Sequence, residues 1–253
     1  MEIDKIYNED CLIGMAKMPD NSADAVVTSP PYNYCLRIHG DKYTRRSSSE
    51  TRSGLVVNKY TTNDFTDALD MKDYFEWQCK CIDEMLRISR GVVFYNIQII
   101  TGNKPAVFQI LGKYSERIRE LLIWDKKNAE PAIMSNCLNS EFELIVAFEK
   151  GDCKGRMFKT MNAERGTLSN VIRIGKNREN EHRAAFPVEL PRHLIANFTP
   201  PNGLILDPFM GSGTTAVAAI KESRHFVGFE LDKGYYDKAL QRIKNEQAQP
   251  SLF

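Results

Sequence analysis

LILDPFMGSGTTAVAAI, residues 204–220, is the stretch that decides the fold. Residues 204–206 read as a buried strand, 207–213 as a glycine-rich turn and 216–220 as a helix. A strand, a glycine-rich turn and a helix in this order bring a nucleotide-like ligand close to backbone at a helix N-terminus. The sequence therefore predicts an α/β fold with such a ligand at this turn.

Two features near this turn narrow the choice of ligand. No Gly-Lys-Ser/Thr follows the glycines, so a phosphate-binding P-loop is not expected. Glu230 ends the strand predicted over 225–229, where sheets of this kind place an acceptor for a ribose diol.

A second motif, Thr28-Ser29-Pro30-Pro31-Tyr32, follows the apolar run 25–27. The two prolines fix two φ angles and remove two backbone donors, which leaves the carbonyls of Ser29 and Pro30 as a rigid set of acceptors. With the Ser29 hydroxyl and the Tyr32 ring, this set suits a planar group that carries an amine. An ordinary turn at the end of a strand is the alternative.

Together, DPFMGSGTT and TSPPY resemble the motifs of the S-adenosylmethionine-dependent DNA amino-methyltransferases, which methylate exocyclic amines of cytosine or adenine. The tetrapeptide Ser29–Tyr32 precedes the cofactor loop, residues 207–215, along the chain. This is the order found in the β-class of these enzymes. The resemblance implies an α/β fold with a Rossmann-like AdoMet methyltransferase sheet, a permuted motif order and a small target-recognition insert.

The resemblance also implies which base is methylated. Ser29, at the first position of the tetrapeptide, is similar to cytosine-N4 members, whereas adenine-N6 members more often carry Asp or Asn there. We therefore expect a cytosine-N4 methyltransferase first and an adenine-N6 enzyme second. A nucleic-acid-binding protein that keeps the AdoMet pocket without turnover is the alternative from another class.

Site residues follow from the same resemblance. Ser29, Pro30, Pro31 and Tyr32 are implied to be catalytic. The residues implied to bind the cofactor are Asp10, Thr28, Phe186, Asp207, Pro208, Phe209, Gly211, Ser212, Gly213, Thr214 and Glu230. Asp10 is implied to contact the adenine amine of the cofactor, although it is also suited to cap the helix that follows it.

The resemblance divides the chain into three regions. Residues 1–149 form a catalytic half with a mobile loop at 33–66, residues 150–181 a short target-recognition region, and residues 182–253 a cofactor-binding half that completes the same sheet. A short insert can read only a few base pairs. We therefore expect a brief recognition sequence, or help from the loop 33–66.

Positive charge is concentrated in two segments, although the net charge of the chain is only +1. Residues 150–183 carry nine Lys/Arg against four Asp/Glu, and residues 33–66 carry six against three. The expected DNA contacts are Arg45, Arg46, Arg165, Arg173 and Lys176. Solvated basic loops are the alternative. Double-stranded DNA is the expected partner, and in the family a cognate restriction endonuclease and a homodimer are common.

Several classes of protein are not expected. No run of about 18 apolar residues could span a membrane, and the polar N-terminus does not resemble a signal peptide, so a cytoplasmic enzyme is expected. The four histidines and six cysteines lack metal-ligand spacing, so no metal is expected. No G-x-S-x-G elbow of a serine hydrolase is present.

Apolar spacing predicts the remaining large elements. Residues 70–89 repeat apolar side chains every three or four positions, which predicts an amphipathic helix. Residues 92–95, 121–124 and 141–148 read as strands, the last two antiparallel to each other. Trp124 is interpreted as a core residue rather than a platform for a base.

Overall fold

The computed structural model describes residues 1–34, 36–39, 42–45, 67–130, 135–175 and 186–248. The predicted DNA contacts Arg46 and Lys176 lie outside these residues, as does the larger part of the segment 33–66. None of the helices in the described part of the chain is long and apolar enough to cross a membrane.

Strands and helices alternate through most of the chain. The strands are β1 (Lys5–Tyr7), β2 (Ala25–Thr28), β3 (Leu36–His39), β4 (Lys42–Arg45), β5 (Val92–Ile97), β6 (Ile118–Glu130), β7 (Ser140–Glu149), β8 (Val171–Arg173), β9 (Leu204–Asp207) and β10 (His225–Phe229). The helices are α1 (Cys11–Ala16), α2 (Met71–Ile88), α3 (Lys104–Lys113), α4 (Glu189–Phe198), α5 (Thr214–Lys221) and α6 (Lys233–Gln247). These elements confirm the predicted helix at 70–89 and the strands at 92–95, 121–124, 141–148 and 225–229.

Eight of these strands form one sheet in the order β1-β10-β9-β2-β5-β7-β6-β8. β7 runs antiparallel to both of its neighbours, and the other pairs in the sheet are parallel. β9 and β10 lie between β1 and β2, so the C-terminal part of the chain fills the middle of a sheet begun by the N-terminal part. The predicted Rossmann-like α/β fold is confirmed.

Helices cover both faces of the sheet because the central strands are apolar on both sides. Alternate residues of β5 face opposite ways: Tyr95 packs with α1, α2 and α3, whereas Phe94 packs with α4, α5 and α6. Trp124 is buried at 2% exposure in the second of these cores, which agrees with its interpretation as a core residue.

The segment 33–66, expected to be a mobile loop, begins with a residue that packs into the fold. Asn33 is fully buried, and its side chain bonds to the backbone of Leu69 and Gly102. A Cβ on Gly102 would lie 2.1 Å from the Asn33 carbonyl oxygen, so glycine permits this contact. Next, β3 and β4 pair as an antiparallel hairpin. Residues 46–66 of the predicted loop lie outside the described residues.

Much of the predicted target-recognition region packs at the amino-terminal edge of the sheet. The backbone of Cys153 bonds to Glu116, just before β6, and Asn162 bonds to the backbone of Asn197 and Thr199, before β9. Phe158 packs edge-on against Phe198, with ring centroids 4.9 Å apart. Residues 153–162 therefore lie at the edge opposite the carboxyl ends of the strands, and within residues 150–175 the region joins the sheet at β8.

Candidate active site

A cavity of about 270 Å³ opens at the carboxyl ends of β2, β9 and β10. Ser29, Gly211 and Glu230 all line it, one from the loop after each of these strands. The complete tetrapeptide and all the predicted cofactor residues except Thr28 and Gly213 line the same cavity. The two motifs, 175 residues apart in the chain, thus meet at one site.

Thr28 joins the two motifs directly. Its hydroxyl donates to Asp207 Oδ1 at 2.6 Å, and the same oxygen accepts from the Phe209 amide at 3.0 Å. Both side chains are almost fully buried, and burial raises the pKa of Asp207 to about 6. This bond fixes the end of β2 against the end of β9.

The glycine-rich turn needs two left-handed residues. Gly211 has φ +54° and Gly213 has φ +83°, values that glycine adopts without the strain of a side chain. The amides of residues 209, 210, 211 and 213 bond within the protein. Four amides of the turn are therefore occupied by acceptors within the protein.

Glu230 holds this turn from the next strand. Its carboxylate accepts from the amide of Gly211 at 2.8 Å and from that of Asp232 at 2.7 Å. Burial raises the pKa of Glu230 to about 7. A carboxylate can accept about four hydrogen bonds, so capacity for a ligand hydroxyl is left.

Asp10, which follows β1, also lines the cavity. Its side chain accepts from the amides of Leu12 and Ile13 at 2.8 and 3.2 Å, so it caps α1. The structure shows the capping role, and the position in the wall is also compatible with a contact to a ligand amine.

The cavity lining is strongly acidic. Its carboxylates are Glu9, Asp10, Asp67, Asp207, Glu230 and Asp232. No Lys, Arg or His belongs to the lining among the described residues. Aromatic rings supply flat apolar walls, with Trp77 packed edge-on against Phe209 at 5.5 Å between ring centroids. This combination favours a ligand with positive charge and a planar group over a phosphate-rich one.

Two side chains of helix α2 donate hydrogen bonds to the tetrapeptide Ser29–Tyr32. The Pro31 carbonyl accepts from the Tyr74 hydroxyl at 2.8 Å and from Gln78 Nε2 at 3.2 Å. Within the part of the chain that the structure describes, the Pro30 carbonyl accepts no hydrogen bond. The rigid acceptor predicted from the paired prolines is therefore available at Pro30.

The hydroxyl of Tyr32 is engaged inside the protein. It lies 2.6 Å from Ser29 Oγ and donates to Glu143 Oε2 at 2.9 Å, and Tyr32 is only 7% exposed. Its ring lies 5.7 Å from that of Tyr34, which lines the same cavity and is less buried. The structure thus gives Tyr32 a bonding role that the sequence did not predict.

A family model described as DNA methylase, of the N6/N4 methyltransferase type, matches residues 23–241. The chain belongs to this family. The expected membership of the β-class DNA amino-methyltransferases is confirmed.

Relatives of this DNA methylase agree with the assignment. The type II methyltransferase M.BglII of Bacillus subtilis is 25% identical over 288 residues, which cover 99% of this chain and 72% of that protein. The solved PvuII DNA methyltransferase (cytosine-N4-specific) has a TM-score of 0.67 at 17% identity, over 96% of this chain and 90% of that one. An M1.HpyAVI–SAM complex has a TM-score of 0.60 at 19% identity, over 94% and 98%. At these identities the structural likeness establishes the fold.

Three polar residues of the methylase site were missed at the sequence level: Asn96, Lys126 and Glu143. Asn96 Nδ2 donates to Tyr32 and Glu143, and Lys126 pairs with Glu143. Strand alternation could have found the charged pair. Lys126 is in phase with buried Leu122 and Trp124, and Glu143 is in phase with Ile145 and Ala147.

Two of the predicted DNA contacts have described side chains, Arg165 and Arg173. Arg173 ends β8 at the carboxyl-terminal edge of the sheet, is largely exposed, and lies 3.7 Å from Asp125. Arg165 is exposed in the turn that follows residues 153–162. Arg45 ends β4, where its backbone pairs with Leu36. Arg173 is thus better placed than Arg165 for a substrate that enters the cavity.

Proposed function

We propose that this methylase transfers a methyl group from S-adenosyl-L-methionine to the exocyclic N4 amine of a cytosine in double-stranded DNA. The observation that carries the proposal is the shared cavity, in which Ser29 and the Pro30 carbonyl face the glycine-rich turn and Glu230. Hydrogen-bond acceptors suited to an amine and a site suited to a positively charged nucleoside thus line the same cavity.

The lining suits the cofactor. When bound, S-adenosyl-L-methionine would supply an electrophilic methyl group: the new N–C bond would form as the C–S bond breaks with its electron pair left on sulfur, and the amine would release one proton to solvent water. The acidic wall favours the positive sulfonium. We assign Glu230 to the ribose hydroxyls, Asp10 to the adenine amine and Phe186 to the adenine face. The M1.HpyAVI structure solved with SAM supports S-adenosyl-L-methionine as the cofactor.

The target base must leave the helix, because an amine inside a duplex cannot reach the cavity. Flipping costs a few kcal/mol, and stacking on an aromatic ring returns about 1–3 kcal/mol. Tyr34 offers a more exposed ring than Tyr32 in the same wall. We therefore assign the stacking contact to Tyr34 together with the exposed edge of Tyr32.

Ser29 and Pro30 then prepare the amine. Its lone pair is delocalised into the base, which makes it a poor nucleophile. When Ser29 Oγ and the Pro30 carbonyl each accept one N–H, the nitrogen turns its lone pair toward the methyl donor. The gain is mainly one of position, since well-oriented groups react far faster than free ones.

Ser29 supports cytosine over adenine as the target, since Ser at this position is typical of cytosine-N4 members. The likeness to the cytosine-N4-specific PvuII enzyme supports the same choice. We place the DNA across the cavity mouth, with Arg173 as a phosphate contact. By analogy with the type II relative M.BglII, we propose that the chain protects DNA from a partner endonuclease.

Nucleoside analysis of unmethylated DNA treated with the protein and S-adenosyl-L-methionine tests the proposal. We expect N4-methylcytosine in one short sequence context. If N6-methyladenine were the only methylated base found, the target would be adenine instead of cytosine, and the protein would still be a DNA amino-methyltransferase. Binding of the cofactor without any methylated base would favour a non-catalytic nucleic-acid-binding protein.

A further inference from the structure

A continuous set of hydrogen bonds runs from Ser29, in the cavity wall, to Glu143, which is buried behind it. Ser29 Oγ lies 2.6 Å from the Tyr32 hydroxyl, and this hydroxyl donates to Glu143 Oε2 at 2.9 Å. Asn96 Nδ2 donates to the Tyr32 hydroxyl and to Glu143 Oε2, at 2.8 Å each. Lys126 Nζ lies 3.6 Å from the other carboxylate oxygen, Oε1. The side chains behind Ser29 therefore form one buried polar unit.

The direction of each bond follows from the protons available. A phenol carries one proton, and burial together with the Glu143 charge raises the pKa of Tyr32 well above its usual value, so Tyr32 keeps that proton. The proton goes to Glu143, which as a carboxylate can only accept. The Tyr32 oxygen must then accept from Ser29. The Ser29 proton points inward, Asn96 Nδ2 lies 3.4 Å from Ser29 Oγ, and the remaining acceptor capacity of this oxygen is left for the cavity.

Asn96 reinforces this direction. Its NH₂ group faces the Tyr32 oxygen and the Glu143 carboxylate, while its own Oδ1 is buried and has no hydrogen-bond partner among the described residues. An unsatisfied buried acceptor costs about 1–3 kcal/mol. The amide keeps this orientation because the reverse one would set its oxygen against a carboxylate.

Lys126 determines how the side-chain amide of a glutamine at position 143 would be oriented. Its ammonium faces Oε1, so a glutamine there would turn its oxygen toward Lys126 and its NH₂ toward Tyr32. Asn96, whose NH₂ would meet this NH₂, would turn its Oδ1 toward it. The Tyr32 proton would then be shared between Ser29 and Asn96, so Ser29 would no longer be held as an acceptor alone.

We propose that Glu143 is the positioning residue that makes Ser29 an obligate hydrogen-bond acceptor, and so selects a base with an amine over one with a carbonyl at the same position. Cytosine presents an N4 amine where uracil and thymine present an O4 acceptor. Ser29 with its remaining acceptor capacity toward the cavity binds the amine and repels the carbonyl oxygen. This inference rests on the proposed methyl transfer.

The experiment compares Glu143→Gln with Glu149→Gln. Glu149 lies on the same strand, is 1% exposed and pairs with buried Arg119 at 2.9 Å, but it lies at the opposite end of β7, away from the cavity. Wild type is first shown to methylate DNA, which tests the proposed function and gives the recognition sequence. Single-turnover rates, S-adenosyl-L-methionine affinity, and binding to duplexes with cytosine or uracil at the target position are then measured.

We expect wild type to prefer cytosine to uracil by about 100-fold or more, because a site built for a donor rejects an acceptor. In Glu143→Gln, both the rate and this preference fall at least about tenfold, while cofactor affinity changes by less than about twofold. Glu149→Gln keeps the rate and the preference and loses only thermal stability. Glu143→Asp, which still only accepts, keeps the preference for cytosine.

Two results would overturn the inference while leaving the proposed function in place. One is an active wild type that binds uracil and cytosine duplexes equally, a test that needs no variant to fold. The other is a Glu143→Gln variant with an unchanged rate and preference. A wild type that binds the cofactor and methylates no DNA removes the proposed function, and the inference with it.

Discussion

Three carboxyl groups beside the cavity have no cationic partner among the described residues: Asp67 and Asp207, which are buried, and Glu230, which is partly buried. Burial raises their pKa values to about 6, 6 and 7 respectively. Their charged forms are therefore costly to keep in the folded protein at neutral pH. The positive sulfonium of a bound cofactor offsets part of this cost, which explains why the cavity wall is acidic.

Substitutions at the two ends of the cavity should separate turnover from cofactor binding. Ser29→Ala or Tyr32→Ala should lower turnover about 100-fold with little change in S-adenosyl-L-methionine affinity, because they orient the amine. Glu230→Ala should weaken cofactor binding about tenfold or more. Ser22→Ala is the matched control, since its hydroxyl bonds only to the Pro19 carbonyl at the other edge of the sheet. Equal effects on rate and affinity in all variants would contradict this division of roles.

Glu230 should also make stability depend on pH in the ligand-free protein. Its pKa rises from 4.5 to about 7 on folding, so the folded state binds the proton more tightly than the unfolded state. The free energy of unfolding should therefore rise as pH falls from 8 toward 5. Glu230→Gln should flatten this rise by about 2–3 kcal/mol, with the part due to Asp67 and Asp207 kept. Urea unfolding at several pH values measures this pH dependence. The same dependence of the free energy of unfolding on pH in wild type and Glu230→Gln would refute the raised pKa of Glu230.

At the scale of elements, the glycine-rich turn depends on its left-handed residues. Gly213→Ala should lower the free energy of unfolding by about 1–2 kcal/mol, because φ is +83° and a Cβ would approach Ala239 to 3.2 Å. Gly112→Ala is the control: it lies in α3 with nothing within 4 Å of a Cβ, and should gain about 0.5–1 kcal/mol. Urea titrations measure the free energy of unfolding of both variants. Equal changes in this free energy would contradict the strain argument.

Local patterns predicted the elements that carry strong signals. The strand–turn–helix at 204–220 and the periodic helix at 70–89 appear where the sequence placed them, because apolar spacing and glycine act locally. The buried Lys126–Glu143 pair was missed because its partners lie on separate strands and each charge alone suggests a surface residue. The hairpin at 36–45 was missed because its anchor, Asn33, depends on contacts with Leu69 and Gly102.

For the whole molecule, the strand order makes the two halves interdependent. β9 and β10, from residues 182–253, lie between β1 and β2, which come from residues 1–149. The Thr28–Asp207 bond joins these parts beside the cavity. The two halves named from the sequence therefore share one sheet, and we expect them to fold as one unit.

Truncation tests this interdependence. The full chain should unfold in one transition seen equally by circular dichroism and by tryptophan fluorescence. A fragment of residues 1–181 should show no cooperative transition, because β1 loses its only partner and β2 loses one side. A fragment that unfolds cooperatively would show that the N-terminal half is an independent domain.

The central claim is that the tetrapeptide and the cofactor loop act on one amine in one cavity. A crystal structure with S-adenosylhomocysteine and a DNA duplex tests it through the distance from Ser29 Oγ to the target nitrogen. We predict a flipped cytosine whose N4 lies about 3 Å from Ser29 Oγ and faces the cofactor sulfur. A cofactor bound outside this cavity, or a cytosine amine that does not contact Ser29, would contradict the account.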